Sequence, residues 1–239
     1  KYVGVCFDKG GSASRSEIFS DYKANRLETP EAITLGIPYI KEILTAMDIS
    51  TVEIEGYEAD DIIGTLAKKA EKDDFNVFMV TPDKDFAQLV SKNIFIYKPA
   101  RMGNDIEIMG IKEVTEKFEI ENPKQVIDYL GMVGDSVDNI PGLQGVGDKT
   151  AKKFIKEFGS IEDLLENTDK IKGKLREKVE SNKDLGLLSK KLAQIILDVP
   201  VDFEKTKFKL EHPDSGRLNV IFEELEFKRI KETTQQIFF

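Results

Sequence analysis

The sequence predicts an α/β fold, a mostly parallel central sheet flanked by helices, followed by an all-helical region. Three observations predict it. Short apolar runs at 2–7, 51–54, 76–81 and 93–97 have the length and bounding residues of buried strands. Helix-period segments alternate with those runs, as in parallel sheets covered on both faces by crossover helices. From about Ile111 the strand-like runs stop and helical spacing takes over.

Each element follows in turn. Residues 2–7 read as a buried strand carrying Asp8 at its carboxyl end. A chain that opens directly in a core strand is expected to have lost preceding structure. Residues 12–29 are polar, with Arg15, Lys23 and Arg26, and read as a loop or exposed helix. Thr29-Pro30-Glu31 has the form of a helix start, Thr29 as cap and Pro30 in the first turn. That helix is expected to run to about Met47, with Ile33, Ile37, Ile40, Ile43 and Leu44 inward. After the strand at 51–54, a helix runs from Glu58 to about Lys72. The strand at 76–81 leads into Pro82-Asp83-Lys84-Asp85 and a short helix near 86–90, and 93–97 is the fourth strand. Helices are expected at 111–118, 123–133, 149–158, 160–166, 171–181, 184–196 and 216–225. The lysine-rich faces of 170–191 read as solvated surface.

Composition narrows the function classes. The chain has 239 residues, 40% apolar and 33% charged, as expected of a soluble globular protein. No stretch approaches a membrane span in length, and no secretory signal opens the chain. Cys6 stands alone, so no internal disulfide forms, and a reducing cytoplasm fits best. One cysteine and one histidine, His212, do not make a zinc site. The net charge of −9 argues against a generic basic nucleic-acid binder. That total changes when candidate metal ligands are set apart. Without Asp8, Glu58, Asp60, Asp61, Asp83, Asp85, Asp135 and Asp138, eight of the 44 acidic residues, 36 acids face 35 bases.

Those acids form the first chemical signal. In Gly56-Tyr57-Glu58-Ala59-Asp60-Asp61 three carboxylates open a helix, where the dipole tolerates negative charge, and helical rotation puts Glu58 and Asp61 on one face. Asp8, Asp83 and Asp85 lie just past strand ends, where ligands of such sheets gather. Taken singly, an acidic first turn or an Asp-x-Asp turn is ordinary. Four such groups in one chain favour divalent metal. Mg²⁺ and Mn²⁺ take carboxylate oxygens together with water and phosphate, and a pair of such ions is suited to phosphodiester hydrolysis.

The second signal is Gly145-Val146-Gly147 with Asp148, Lys149, Thr150, Lys152 and Lys153. Glycines let backbone approach a ligand closely, and the N–H groups of the following helix are free to meet an anion. This is the design of a helix–hairpin–helix gripping DNA phosphate without reading bases. Tyr22-Lys23-Ala24-Asn25-Arg26 is a weaker third candidate, with two cations for phosphate and a tyrosine able to stack on a base.

In order along the chain, Phe7-Asp8, the 22–26 segment, the 56–61 segment, Thr81-Pro82-Asp83-Lys84-Asp85 with Gln88-Leu89, and Gly134-Asp135-Ser136-Val137-Asp138-Asn139-Ile140-Pro141-Gly142 running into 145–151 resemble the 5′-nuclease family. That family takes in the 5′→3′ exonuclease domain of bacterial DNA polymerase I, phage 5′ exonucleases and flap endonucleases. The resemblance implies a PIN-like or resolvase-like sheet with a metal cluster, a helical arch near 14–30, and a helix–three-turn–helix region. It divides the chain into a nuclease core at 1–134 and a DNA-binding region at 135–239. It further implies that Asp8, Glu58, Asp60, Asp61, Asp83 and Asp85 hold one Mg²⁺ or Mn²⁺ and that Asp135 and Asp138 hold a second. Lys23 and Arg26, with Asp8, serve the scissile phosphate. Tyr22, Lys23, Arg26, Gly145, Gly147, Lys149, Thr150 and Lys152 contact DNA, and K⁺ is an expected companion of the hairpin.

The implied activity is hydrolysis of DNA at 5′ ends and 5′ flaps, and of RNA primers paired to DNA, in replication and repair. Leu225-Glu226-Phe227-Lys228 is similar to the close of the polymerase-linked domain, so a polymerase part is expected further along the parent chain. The family's opening Asp-Gly strand has no counterpart here, Ser14 stands where relatives carry an aromatic, and Pro82 replaces a small residue. The alternatives are a free-standing 5′ nuclease, an RNase on a related fold, and a non-catalytic module that binds DNA structure.

Overall fold

The structure, a computed structural model, describes residues 1–101 and 103–238, with side chains to Thr234. The order is β1 (Gly4–Cys6), α1 (Ala13–Ile18), α2 (Glu31–Ala46), β2 (Ser50–Val52), α3 (Ala59–Lys72), β3 (Val77–Val80), a 3-10 helix (Lys84–Leu89), β4 (Ile94–Lys98) and β5 (Glu107–Met109). Helices follow: α4 (Ile111–Phe118), α5 (Val126–Val133), α6 (Asp148–Phe158), α7 (Ile161–Glu166), α8 (Lys174–Ser181), α9 (Lys183–Ala193), α10 (Ser215–Glu224) and α11 (Lys228–Phe238). Two compact units divide the chain. Unit 1 comprises Lys1–Gly11, Leu27–Ala59 and Asp202–Phe239; unit 2 comprises Ser12–Arg26 and Asp60–Val201.

In unit 1, β1 and β2 pair in parallel, Gly4 opposite Ser50 and Cys6 opposite Val52. Pro30 itself stands at the cap of α2, with no side-chain cap bond, in place of the expected Thr29 cap. α2 buries its C-terminal end, where Ala46, Ile43 and Met47 pack with Leu218, Ile221 and Phe222 of α10. Ile33 and Ile40, expected inward, are 55% and 47% exposed. Helical period alone marks them as a stripe, but the α10 contact covers only the last turns of α2.

In unit 2, β3 and β4 pair in parallel and β4 and β5 antiparallel. β5 was not anticipated, because three residues are too few to show an alternation. Among the described residues the strands thus form two sheets, where a single one was expected. Met79, Ile94, Ile96 and Met109 lie buried on one face of the three-stranded sheet. Phe78, Val80 and Ile108 on its other face are exposed, so the expectation of cover on both faces fails here.

The core of unit 2 runs from Met79, Phe86 and Ile96 through Val126 and Leu130 to Ile161, Leu164 and Leu192. Each such side chain contributes about 1.5–3 kcal/mol of hydrophobic stabilisation. α5 and α9 cross so closely that a Cβ on Gly131 would lie 2.7 Å from the Lys190 Cβ. Buried Gln88 fastens the 3-10 helix to the segment after α9. Its Nε2 donates to the carbonyls of Asp85 (2.9 Å) and Ala193 (3.0 Å), and its Oε1 accepts from Ile195 N–H (3.0 Å). Among the described residues no helix is long and apolar enough to cross a membrane.

Candidate active site

The acidic site of unit 2 is built from two loops. In the first, just past β3, the Asp83 carboxylate caps the 3-10 helix by accepting Asp85 N–H at 2.9 Å. The buried Gln88 bridge then fixes the Asp85 backbone. The second loop follows α5, which ends at Gly134 with φ +74°. Asp135 N–H donates to the Ile140 carbonyl (2.9 Å) and Ile140 N–H to the Asp135 carbonyl (2.7 Å), closing the loop at its neck. Gly142, at φ +69°, completes that neck. A Cβ on Gly134 would meet Ile140 O at 2.4 Å, and one on Gly142 would meet Gly134 N at 2.7 Å.

Cations from elsewhere in unit 2 reach these loops. Asp135 Oδ2 accepts from Lys84 Nζ at 2.7 Å and its Oδ1 from Val137 N–H at 2.8 Å. Asp138 pairs with Arg26 and, at 3.6 Å, with Lys23. The 21–26 segment is also laced to this loop by backbone. Lys23 N–H donates to Asp138 O (2.9 Å), Asn25 Nδ2 to Ser136 O (2.8 Å) and Asn139 Nδ2 to Asp21 O (2.7 Å). The structure therefore brings Lys23, Arg26, Asp83, Asp85, Asp135 and Asp138 together.

Electrostatics mark Asp85. Burial, reinforced by the charge of Asp83 and opposed by Lys84, pushes its carboxyl up to about 7; Asp135 and Asp138 add to the rise. Its Oδ1 is buried and accepts no hydrogen bond in the structure. Burial pulls the Lys84 ammonium down, but its bond to Asp135 and the charges of Asp85, Asp135 and Asp83 outweigh that and leave it raised. Burial likewise lifts Asp135, but Lys84 and the Val137 N–H outweigh it and hold the carboxyl low. As placed, no three His, Cys, Asp or Glu side chains among the described residues close on one point as a metal cage. Lys84, Lys23 and Arg26 set positive charge against Asp135 and Asp138.

The remaining predicted residues fall out differently. Asp61, read as a metal ligand, is fully buried and gripped through both oxygens by Arg15, at 2.8 and 2.7 Å, and by Ile196 N–H at 2.8 Å. Arg15 also donates to the carbonyls of Leu192 (3.0 Å) and Gln194 (2.7 Å). A carboxylate so saturated ties α1, α3 and the end of α9 together. Asp60 is half-buried beside it on α3. Tyr22, read as a base-stacking residue, is a core side chain at 8% exposure, and Lys23 Nζ stands 5.0 Å over its ring. In unit 1, Asp8 is exposed and accepts Ala59 N–H at 2.8 Å, while Glu58 is buried.

The glycine turn lies on the surface before α6. Gly145 takes φ +83°, Gly147 is extended, and nothing lies within 4 Å of a Cβ built on Gly147. Thr150 and Ala151 N–H donate to Gly147 O, at 3.0 and 2.9 Å. The N–H groups of Gly147, Asp148 and Lys149 find no acceptor among the described residues, which leaves an open cradle for an anion. Lys149 is exposed, whereas Lys152 is engaged by Asp148 (3.3 Å) and Glu119 (3.5 Å). Sequence reading missed Lys178 of α8: a Cβ on Gly145 would sit 3.6 Å from its Nζ. Nothing in the sequence tied that lysine to a turn more than thirty residues away.

Comparison with known proteins accords with this geometry. Residues 1–119 match the N-terminal resolvase-like domain of 5′-3′ exonucleases, and residues 121–216 match their C-terminal SAM fold. A 5′-3′ exonuclease of Aquifex aeolicus is 39% identical over 238 residues, covering the whole chain and 80% of that protein. DNA polymerase I of Bacillus subtilis is 42% identical over 229 residues, 95% of this chain but 26% of the polymerase. The chain thus spans about a quarter of the polymerases it matches. T5 5′-exonuclease with bound zinc shares the fold with a TM-score of 0.68 at 24% identity, over 81% of this chain and 74% of that one. The catalytic core of Rad2 in complex with DNA does so with a TM-score of 0.63 at 22% identity, over 92% of this chain and 73% of that one. Resolvase-like core, SAM-fold helices and matched sequence together define a nuclease. The chain belongs to the 5′-3′ exonuclease family.

Proposed function

We propose that the chain cleaves DNA phosphodiesters at 5′ ends and 5′ flaps with the help of Mg²⁺ or Mn²⁺, and that it is the exonuclease part of a bacterial, cytoplasmic DNA polymerase I. The observation that carries the metal requirement is Asp85 Oδ1, a buried carboxylate oxygen without a partner beside Asp83, Asp135 and Asp138. These are hard oxygen donors of the kind Mg²⁺ and Mn²⁺ take. When bound, such ions lower the pKa of water and stabilise charge on phosphoryl oxygens.

The chain's own residues supply the rest. Asp83, Asp85, Asp135 and Asp138 hold the ions, and a ligand role for Asp8 and Glu58 rests on their motifs alone. Lys23 and Arg26, now on Asp138, are placed to exchange that carboxylate for a substrate phosphate. The turn at 145–149 grips duplex phosphate, and K⁺ there is a further expectation. RNA primers paired to DNA are included as substrates. In this reading 1–134 is the catalytic part and 135–239 the DNA-binding part.

The test is cleavage of a 5′-flap duplex with Mg²⁺ or Mn²⁺, against EDTA and Asp83→Ala. Metal-dependent product that vanishes in the variant supports the reading, and product insensitive to both sinks it. A second reading, a free-standing 5′ nuclease, is favoured by the coverage of the Aquifex exonuclease. The parent gene beyond Phe239 decides between them.

A further inference from the structure

Asp148 poses a physical problem. It is the first residue of α6, where a carboxylate is well placed to fold back onto the helix's own N–H groups. The proposed phosphate would use the same groups, so side chain and ligand compete. The structure holds the carboxylate elsewhere. Tyr129 Oη donates to Asp148 Oδ1 at 2.8 Å, and Lys152 Nζ stands 3.3 Å from the same oxygen.

The tether is well anchored. The Tyr129 ring lies in the core of unit 2, edge-on to Phe118 with centroids 5.1 Å apart. Neighbouring side chains, one at the cap of α5 and one within it, brace the next elements independently. Gln125 Nε2 donates to Gly159 O at 3.0 Å, just past α6, and Asp128 Oδ1 accepts Ile161 N–H at 3.0 Å at the start of α7. The hydroxyl is therefore not needed to seat α6, whose far end is held by Gln125.

We propose that Tyr129 is a positioning residue: its hydroxyl keeps the Asp148 carboxylate off the N–H groups of Gly147, Asp148 and Lys149, leaving them open to a DNA phosphate. Burial first, and then the bond to Asp148, raise the tyrosine well above its ordinary pKa, so the hydroxyl stays a donor throughout the working range. That bond in turn holds Asp148 low, so the tethered group is the charged carboxylate. The inference rests on the reading of 145–149 as a phosphate grip.

The experiment is equilibrium binding of a fluorescent 5′-flap DNA duplex in EDTA by the native chain, Tyr129→Phe, Asp148→Ala, the double variant and Lys149→Ala. Thermal melting of each variant accompanies it. Tyr129→Phe is expected to raise Kd about tenfold with little change in melting temperature, the scale of one charge-assisted hydrogen bond. The double variant is expected to recover most of the loss, since no carboxylate is left to compete. A merely structural tyrosine gives no such rescue. Unchanged binding by Tyr129→Phe, or a double variant as weak as Tyr129→Phe, overturns the inference while Lys149→Ala still weakens binding. If Lys149→Ala also leaves Kd unchanged, the phosphate-grip reading itself has failed.

Discussion

Asp85→Asn is the most informative single change in the acidic site. In the folded chain the carboxyl is pushed from its ordinary 3.8 up to about 7, by burial first and by Asp83 second. The folded state therefore binds more protons than the unfolded state between those values, and stability falls as pH rises through that window. Three pKa units at about 1.4 kcal/mol each set a ceiling near 4 kcal/mol. Asp85 is half-buried, with Lys84 beside it, and screening brings the working figure to about 2 kcal/mol.

Asparagine keeps the shape and removes the charge. In EDTA the variant should be more stable than the native chain by about 2 kcal/mol near pH 8 and by less than about 1 kcal/mol near pH 5. Urea unfolding at several pH values reads this directly, and acids not coupled to Asp85 cancel in the difference. Adding Mg²⁺ should then stabilise the native chain more than the variant, because ligand binding to the folded state adds to its stability. A gap independent of pH, or a variant less stable than the native chain near pH 8, refutes the argument.

Other outcomes follow from the same geometry. Arg15→Ala leaves Asp61 fully buried without its bidentate partner and should cost about 3–5 kcal/mol in urea unfolding. Gly134→Ala forces a left-handed residue into a neck where its Cβ would lie 2.4 Å from Ile140 O, and should cost about 2–3 kcal/mol with a drop in turnover. Gln88→Leu strands two carbonyls and an N–H and should cost about 2 kcal/mol, read by melting temperature. Lys178→Ala should weaken duplex binding and flatten its salt dependence by about one unit of slope if that lysine meets a phosphate.

Where local chemistry decides structure, the sequence was readable. The apolar runs before Asp83 and after Val90 became β3 and β4 in parallel, as their length and neighbours implied. Gly145 and Gly147 marked the open turn, while the closed neck at Gly134 and Gly142 came only from the structure. Properties set by distant packing were not readable. Helical phase placed Asp61 beside Glu58, but not the Arg15 guanidinium that arrives from α1 and closes on it. Tyr22 sits in a polar stretch whose composition argues for solvent, yet unit 2 buries its ring. Ile33 and Ile40 carry the inward period without a neighbour to meet them. Position past strand ends suggested that Asp8, Asp83, Asp85 and the 58–61 group converge, whereas Asp135 and Asp138 entered the site through the family resemblance. Within unit 2 the structure sets the charges of Asp83, Asp135 and Asp138 close enough to act on Asp85.

The closed neck of the 135–140 loop has a consequence for how this protein can vary. Two reciprocal hydrogen bonds and a pair of mutually exclusive glycines seal the segment off from α5 on one side and the 145–147 turn on the other. Ser136 and Val137 at its tip are exposed. Exchange at the tip is therefore insulated from the helices, while exchange at either glycine is felt by both. The loop behaves as a cassette: the side chains of Ser136 and Val137 at its tip are free to drift, while its frame and the engaged Asp135, Asp138 and Asn139 are not. Its two neck amides should resist hydrogen exchange far longer than a surface loop of six residues has any right to.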